Sequence, residues 1–111
     1  MPEQDGPMSR IIPIIIVTCL CASPLLAQTV HQVDIKTFAF VPATISAAVG
    51  DIIEWTNHDF APHTATGDGW STGELKYDAT GRYIVSVAGV VVYHCAYHPH
   101  MTGTITVTEA K

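Results

Sequence analysis

Thr102-Gly103-Thr104-Ile105-Thr106-Val107-Thr108 is the stretch that declares the fold. Apolar and hydroxyl side chains alternate along it with a period of two, the spacing at which an extended chain sends neighbours to opposite faces. Ile105 and Val107 are expected to face a core, with Thr104, Thr106 and Thr108 facing solvent. Upstream, Arg82-Tyr83-Ile84-Val85-Ser86-Val87 and Val90-Val91-Val92-Tyr93 read as two strands flanking Gly89. Ile52-Ile53-Glu54-Trp55-Thr56 is another β-prone run, closed by the turn chemistry of Asn57-His58-Asp59. Ile45 to Val49 lies between Pro42 and the pair Gly50-Asp51, and Val33-Asp34-Ile35-Lys36 alternates apolar with charged residues. No stretch keeps a 3.6-residue apolar period over two turns. Seven or so short strands with closely spaced turn signals predict an all-β sandwich or small barrel. Without repeats, low-complexity tracts or linkers, the β-rich part makes one domain.

The chain begins differently. Arg10 precedes Ile11-Ile12-Pro13-Ile14-Ile15-Ile16-Val17-Thr18-Cys19-Leu20, and Cys21-Ala22-Ser23-Pro24-Leu25-Leu26-Ala27 follows. A basic residue, about ten apolar residues and a small-residue exit make a secretory signal, with cleavage expected after Ala27. Met8 offers an alternative start that removes the acidic Glu3 and Asp5. Pro13 and Pro24 interrupt the apolar run, which is shorter than the ~20 residues a membrane span needs. The expected organisation is a leader over 1–27 and one exported, periplasmic domain over 28–111, with no membrane span once the leader is gone.

Removing the leader sharpens the composition. Residues 28–111 carry eight acids and four bases, a formal charge of −4. That balance argues against nucleic acid as a partner, because phosphate neutralisation needs clustered Lys or Arg. The same segment has one cysteine, Cys95, and one methionine, Met101. A single cysteine forms no internal disulfide, so this small domain must be stable without a covalent staple, and a bound metal would help.

Both sulfurs fall in Tyr93-His94-Cys95-Ala96-Tyr97-His98-Pro99-His100-Met101. Cys95, His98 and Met101 are spaced three apart between two expected strands. A tight loop stiffened by Pro99 can turn all three inward, which a strand cannot do. Thiolate, imidazole and thioether, joined by a second imidazole, form the donor set of blue-copper electron-transfer sites. Structural zinc sites take four Cys or His ligands, and methionine is not among them. The second imidazole must come from elsewhere. His94 points away from Cys95 on an extended strand, His100 belongs at the loop surface, and His31 is close to the new N-terminus. His58 and His63 remain, and spacing alone does not separate them.

Ala61-Pro62-His63-Thr64 together with the Tyr93–Met101 loop resembles the copper motifs of the small cupredoxins, most of all amicyanin and its plastocyanin-like relatives. The resemblance extends through Phe40-Val41-Pro42-Ala43-Thr44-Ile45, Val49-Gly50-Asp51 and Trp55-Thr56-Asn57, nearly the whole mature chain. It implies a Greek-key β-sandwich of seven or eight strands. It also implies His63, Cys95 and His98 as equatorial ligands and Met101 as the axial ligand of one copper ion cycling between Cu(I) and Cu(II). The implied function is single-electron transfer between redox partner proteins that dock near His98, whose ring edge reaches the surface. A monomer without enzymatic activity is the expected form. A periplasmic copper chaperone or store using the same ligands is the alternative, disfavoured by the single methionine and kept open by His100. Three departures from the family pattern stand out: Thr64 where many relatives have Asn, a short His63-to-Cys95 interval with a trimmed connection expected around Gly67 to Lys76, and His100 at a usually apolar loop position.

Overall fold

The structure, a computed structural model, describes residues 27–110. The proposed leader lies outside the described residues apart from Ala27. Nine strands follow in order: β1 (Val30–Lys36), β2 (Ala39–Val41), β3 (Thr44–Ala48), β4 (Ile52–Asn57), β5 (Thr66–Gly67), β6 (Trp70–Ser71), β7 (Thr80–Ile84), β8 (Gly89–His94) and β9 (Thr102–Thr108). Two of them, β5 and β6, are only two residues each, which accounts for the excess over the seven or eight expected. Among the described residues no helix is long and apolar enough to cross a membrane.

Alternation in sequence becomes burial in space. Val33 and Ile35 of β1, Ile53 and Trp55 of β4, and Ile105 and Val107 of β9 are all buried, because each pair lies two apart on one strand face. The intervening Thr106 and Thr108 are exposed, whereas Thr104 is half-buried. These inner faces belong to two sheets, ordered β2-β1-β4-β7 and β3-β9-β8-β5-β6. The chain changes sheet after β2, β3, β4, β6 and β7, producing the Greek-key sandwich expected. Pairing is parallel for β1 with β4 and for β3 with β9, and antiparallel elsewhere.

One expected strand is shorter than its sequence suggested. Arg82 to Val87 reads as continuous, yet β7 starts earlier, at Thr80, and stops at Ile84. Val85 gives its backbone bonds to the Gly50–Asp51 turn, donating to Asp51 O (3.0 Å) and accepting from Gly50 N–H (2.8 Å). The short interval around Gly67 to Lys76 is a tight hairpin of β5 and β6, with Gly69 in the left-handed region at φ 81°.

The two sheets are tied through an aromatic centre. The Trp55 indole N–H donates to the Tyr93 hydroxyl at 3.1 Å, and both side chains are fully buried. Tyr93 also packs on Phe40 with ring centroids 4.7 Å apart. Gly103 faces Tyr93 across the β8–β9 pair, and a Cβ there would sit 2.3 Å from the tyrosine ring, so only glycine allows this approach. At the sheet edge Trp70 of β6 stacks on Tyr83 of β7 at 3.9 Å, closing the sandwich laterally.

Candidate metal centre

Three loops meet at the end of the sandwich where β1 and β4 finish. Residues 57–65 carry His63, residues 95–101 carry Cys95 and His98, and the β1–β2 turn carries Phe38. Cys95 continues the alternation of β8, which buries Tyr93 and Cys95 and exposes His94 between them. The following loop is closed by its own backbone. Cys95 N–H donates to Met101 O (3.0 Å), His98 N–H to Cys95 O (3.2 Å) and Met101 N–H to His98 O (2.9 Å). These bonds curl the chain, bringing Cys95 Sγ and His98 Nδ1 to 3.5 Å of one another, and Met101 at the end of the loop is buried.

His63 is held by an extended bridge: its N–H donates to Leu75 O (3.1 Å), and Leu75 N–H donates back to His63 O (2.7 Å). Asn57, fully buried, ties the preceding loop together. Its amide donates to Ala61 O (2.9 Å) and Leu75 O (2.8 Å), and its Oδ1 accepts Asp59 N–H (2.8 Å). All its polar capacity near the backbone is therefore used, as a buried amide requires.

His63, Cys95 and His98 form the one cluster of potential metal-ligand side chains found among the described residues. His63 Nδ1 lies 3.2 Å from His98 Nδ1 and 3.8 Å from Cys95 Sγ, and His98 Nδ1 lies 3.5 Å from the sulfur. A point equidistant from these three atoms is about 2.0 Å from each, close to the bond lengths that imidazole and thiolate make to a first-row metal. His63 and Cys95 are fully buried, His98 is half-buried, and Met101 is 5% exposed.

The hydrogen bonds around this triangle favour ligation. His63 Nε2 bonds the Asp59 carboxylate at 2.9 Å, which keeps a proton on Nε2 and leaves the Nδ1 lone pair free for the centre. Burial pushes the Asp59 carboxyl upward. The backbone N–H groups of Phe38 and Thr37, with His63, outweigh it and hold the pKa below the usual carboxylate range. Cys95 Sγ accepts the Thr64 N–H at 3.3 Å, a contact suited to a thiolate. The Thr64 hydroxyl accepts the Ala96 N–H at 2.8 Å, so the threonine found where many cupredoxins have Asn still ties the two ligand loops together.

The remaining histidines lie elsewhere. His58, left open by spacing, sits at the surface with Nε2 3.0 Å from Asp34. His31 pairs with the buried Asp51 at 2.9 Å, at the opposite end of the strands. His94 and His100 are exposed. Reading the sequence missed Asp59 and Phe38. Asp59 lies only four residues before His63, a proximity that could have flagged it. Phe38 is far from every ligand in sequence, and nothing in its neighbours announces it.

A sandwich of this topology with two imidazoles and one thiolate converging at its end defines a cupredoxin-like protein of the blue-copper type. The donor set suits a single copper ion in either oxidation state. Comparison with known proteins agrees. The chain is 28% identical over 96 residues to amicyanin from Paracoccus denitrificans, covering 77% of this chain and 73% of that protein. The Cu(I) form of a methionine-to-alanine variant of amicyanin superposes with a TM-score of 0.68 at 27% identity, over 73% of this chain and 84% of that one. An oxidised methionine-to-leucine variant gives 0.66 at 25% identity, over 69% and 80%. No protein-family model matches the chain.

Proposed function

We propose that the chain is a periplasmic single-electron carrier, with His63, Cys95 and His98 as equatorial ligands and Met101 as the axial ligand of one copper ion. The observation that carries the reading is the triangle of Nδ1, Nδ1 and Sγ around a point about 2.0 Å from each, near a metal–imidazole bond and a few tenths of an ångström short of a metal–thiolate bond. Copper there supplies a one-electron couple, imidazoles tolerating Cu(II) and sulfur favouring Cu(I). The protein contributes a cage held by Asn57, Asp59, Thr64 and the turns of the 95–101 loop. A cage fixed before the electron arrives has little to rearrange afterwards. The buried Met101, in the loop closed by the Cys95 N–H to Met101 O bond, supports its axial role.

Export rests on the leader pattern over 1–27. Redox partners meet the surface around His98, where Phe38 and Tyr97, which contact its ring, are 51% and 48% exposed and offer apolar contact area. The carrier turns over no small substrate and acts as a monomer. The complete burial of His63 and Cys95 speaks against a chaperone or store, which needs ligands open to exchange.

The test is a visible absorption and EPR spectrum of the Cu(II)-loaded protein beside Cys95→Ser. An intense thiolate charge-transfer band with narrow copper hyperfine splitting, lost in the variant, is the expected result. A pale spectrum that survives the substitution would overturn the proposal.

A further inference from the structure

The two candidate imidazole ligands are held in different ways. His63 has its outer nitrogen bonded to Asp59. Among the described residues no hydrogen bond engages Nε2 of His98, although a metal-ligating histidine almost always has a partner on its second nitrogen. What stands beside the His98 ring is Phe38. Its ring meets His98 edge-on, with centroids 4.8 Å apart and planes at 80°, and meets His63 the same way at 4.9 Å and 88°. Tyr97 touches His98 at the longer separation of 6.5 Å.

Phe38 is not there by default. Thr37 and Phe38 both lie in the left-handed backbone region, at φ 54° and 57°, although neither is glycine. They are the two central residues of the hairpin turn that joins Lys36 to Ala39, a turn whose favoured form puts both in this region and usually takes Asn or Gly there. Asp59 supports the turn with these less suited residues, its two carboxylate oxygens accepting the N–H groups of Thr37 (2.7 Å) and Phe38 (2.8 Å). The same carboxylate orients His63 at 2.9 Å. One acid thus fixes one ligand directly and fixes the aromatic ring that packs on the other.

We infer that Phe38 is the positioning residue for His98, an aromatic clamp held by the Asp59-bound turn in place of a hydrogen bond to Nε2. The inference rests on the copper-centre reading above. The clamp confines the half-buried His98 ring to the orientation in which Nδ1 faces Cys95 Sγ and His63 Nδ1. Electron exchange through His98 then proceeds from a single, preset ring orientation.

The experiment compares wild type with Phe38→Ala and Phe38→Tyr in two measurements. In the metal-free protein, NMR relaxation of the His98 ring reports its order. In the copper-loaded protein, the rate of copper extraction by a strong chelator and the EPR hyperfine pattern report the site. Phe38→Ala is expected to free the His98 ring, broaden or split the EPR pattern and speed extraction about tenfold, the lower end of what losing an outer-shell partner causes. Phe38→Tyr, which keeps the ring, is expected to restore wild-type behaviour. A His98 ring equally ordered in Phe38→Ala and wild type overturns the clamp, and does so whether or not the copper reading stands. A wild-type protein with no blue-copper spectrum overturns that reading instead, with the metal-free NMR result still deciding the clamp.

Discussion

Replacing Gly103 by alanine tests the packing logic of the sandwich most sharply, because local and tertiary expectations have opposite signs. Alanine in the interior of a strand is ordinarily better than glycine by roughly 0.5–1 kcal/mol, since it restricts the unfolded chain. At position 103 the added methyl carbon would lie 2.3 Å from Tyr93 Cζ and 2.4 Å from its hydroxyl oxygen. The tyrosine has nowhere to go: it is 1% exposed, bonded to the Trp55 indole, and wedged against Phe40. Overpacking a filled core costs typically ~1–3 kcal/mol, and displacing the hydroxyl puts at risk a buried bond with a net contribution of about 1 kcal/mol. Net of the strand preference, Gly103→Ala is expected to destabilise the protein by roughly 1–3 kcal/mol, a fall in Tm of about 5–20 °C for a domain of this size. Thermal and urea unfolding of the metal-free protein, followed by tryptophan fluorescence, measures it. Tyr93→Leu in the same molecule makes room for the methyl group, so the double variant should lose less than the sum of the singles by about 1 kcal/mol or more. Equal or greater stability of Gly103→Ala, or strict additivity in the double variant, would refute the close-approach argument.

Two further outcomes follow from buried polar groups. Burial lifts the Tyr93 phenol to about 12, the bond from Trp55 pulling weakly the other way. Its unfolded value is about 10, so the contribution is intact below about pH 10 and is lost as pH rises toward 12, by up to roughly 2–3 kcal/mol. Unfolding free energies measured across this range should fall in the wild type and fall less in Tyr93→Phe, and parallel curves would contradict it. Asn57→Ala removes the amide that holds Ala61 O, Leu75 O and Asp59 N–H together. At about 0.5–1.5 kcal/mol per bond the expected cost is roughly 2–4 kcal/mol, measured by urea unfolding, and a loss below about 1 kcal/mol would show that loop to be held by other contacts.

The fold class and most of the candidate metal cluster were legible in the sequence for a common physical reason: both are written in short-range spacing. The period-two pattern of Thr102–Thr108 picked out Ile105 and Val107 as buried, although Thr104 is half-buried, and the same rule turned His94 outward at the end of β8 and Cys95, next in the chain, inward. The three-residue intervals among Cys95, His98 and Met101 announced a loop folded on itself, and the backbone bonds of 95–101 are that loop. The choice between His58 and His63 was beyond spacing, because both lie in the same connection. The family motif Ala61-Pro62-His63-Thr64 pointed to His63, and the fold shows the physical reason: the His63–Leu75 bridge holds His63 beside Cys95, while His58 goes to Asp34 at the surface. The end of β7 at Ile84 was likewise invisible, since Val85 leaves the strand to bond a turn thirty-odd residues earlier in the chain. Phe38 and Gly103 complete the contrast. Each matters through a ring contact that no local pattern encodes, the one reaching His98 and His63 from the β1–β2 turn and the other yielding space to Tyr93. Periodicity reports which face of a strand meets the core; which side chains meet there depends on how the two sheets pack.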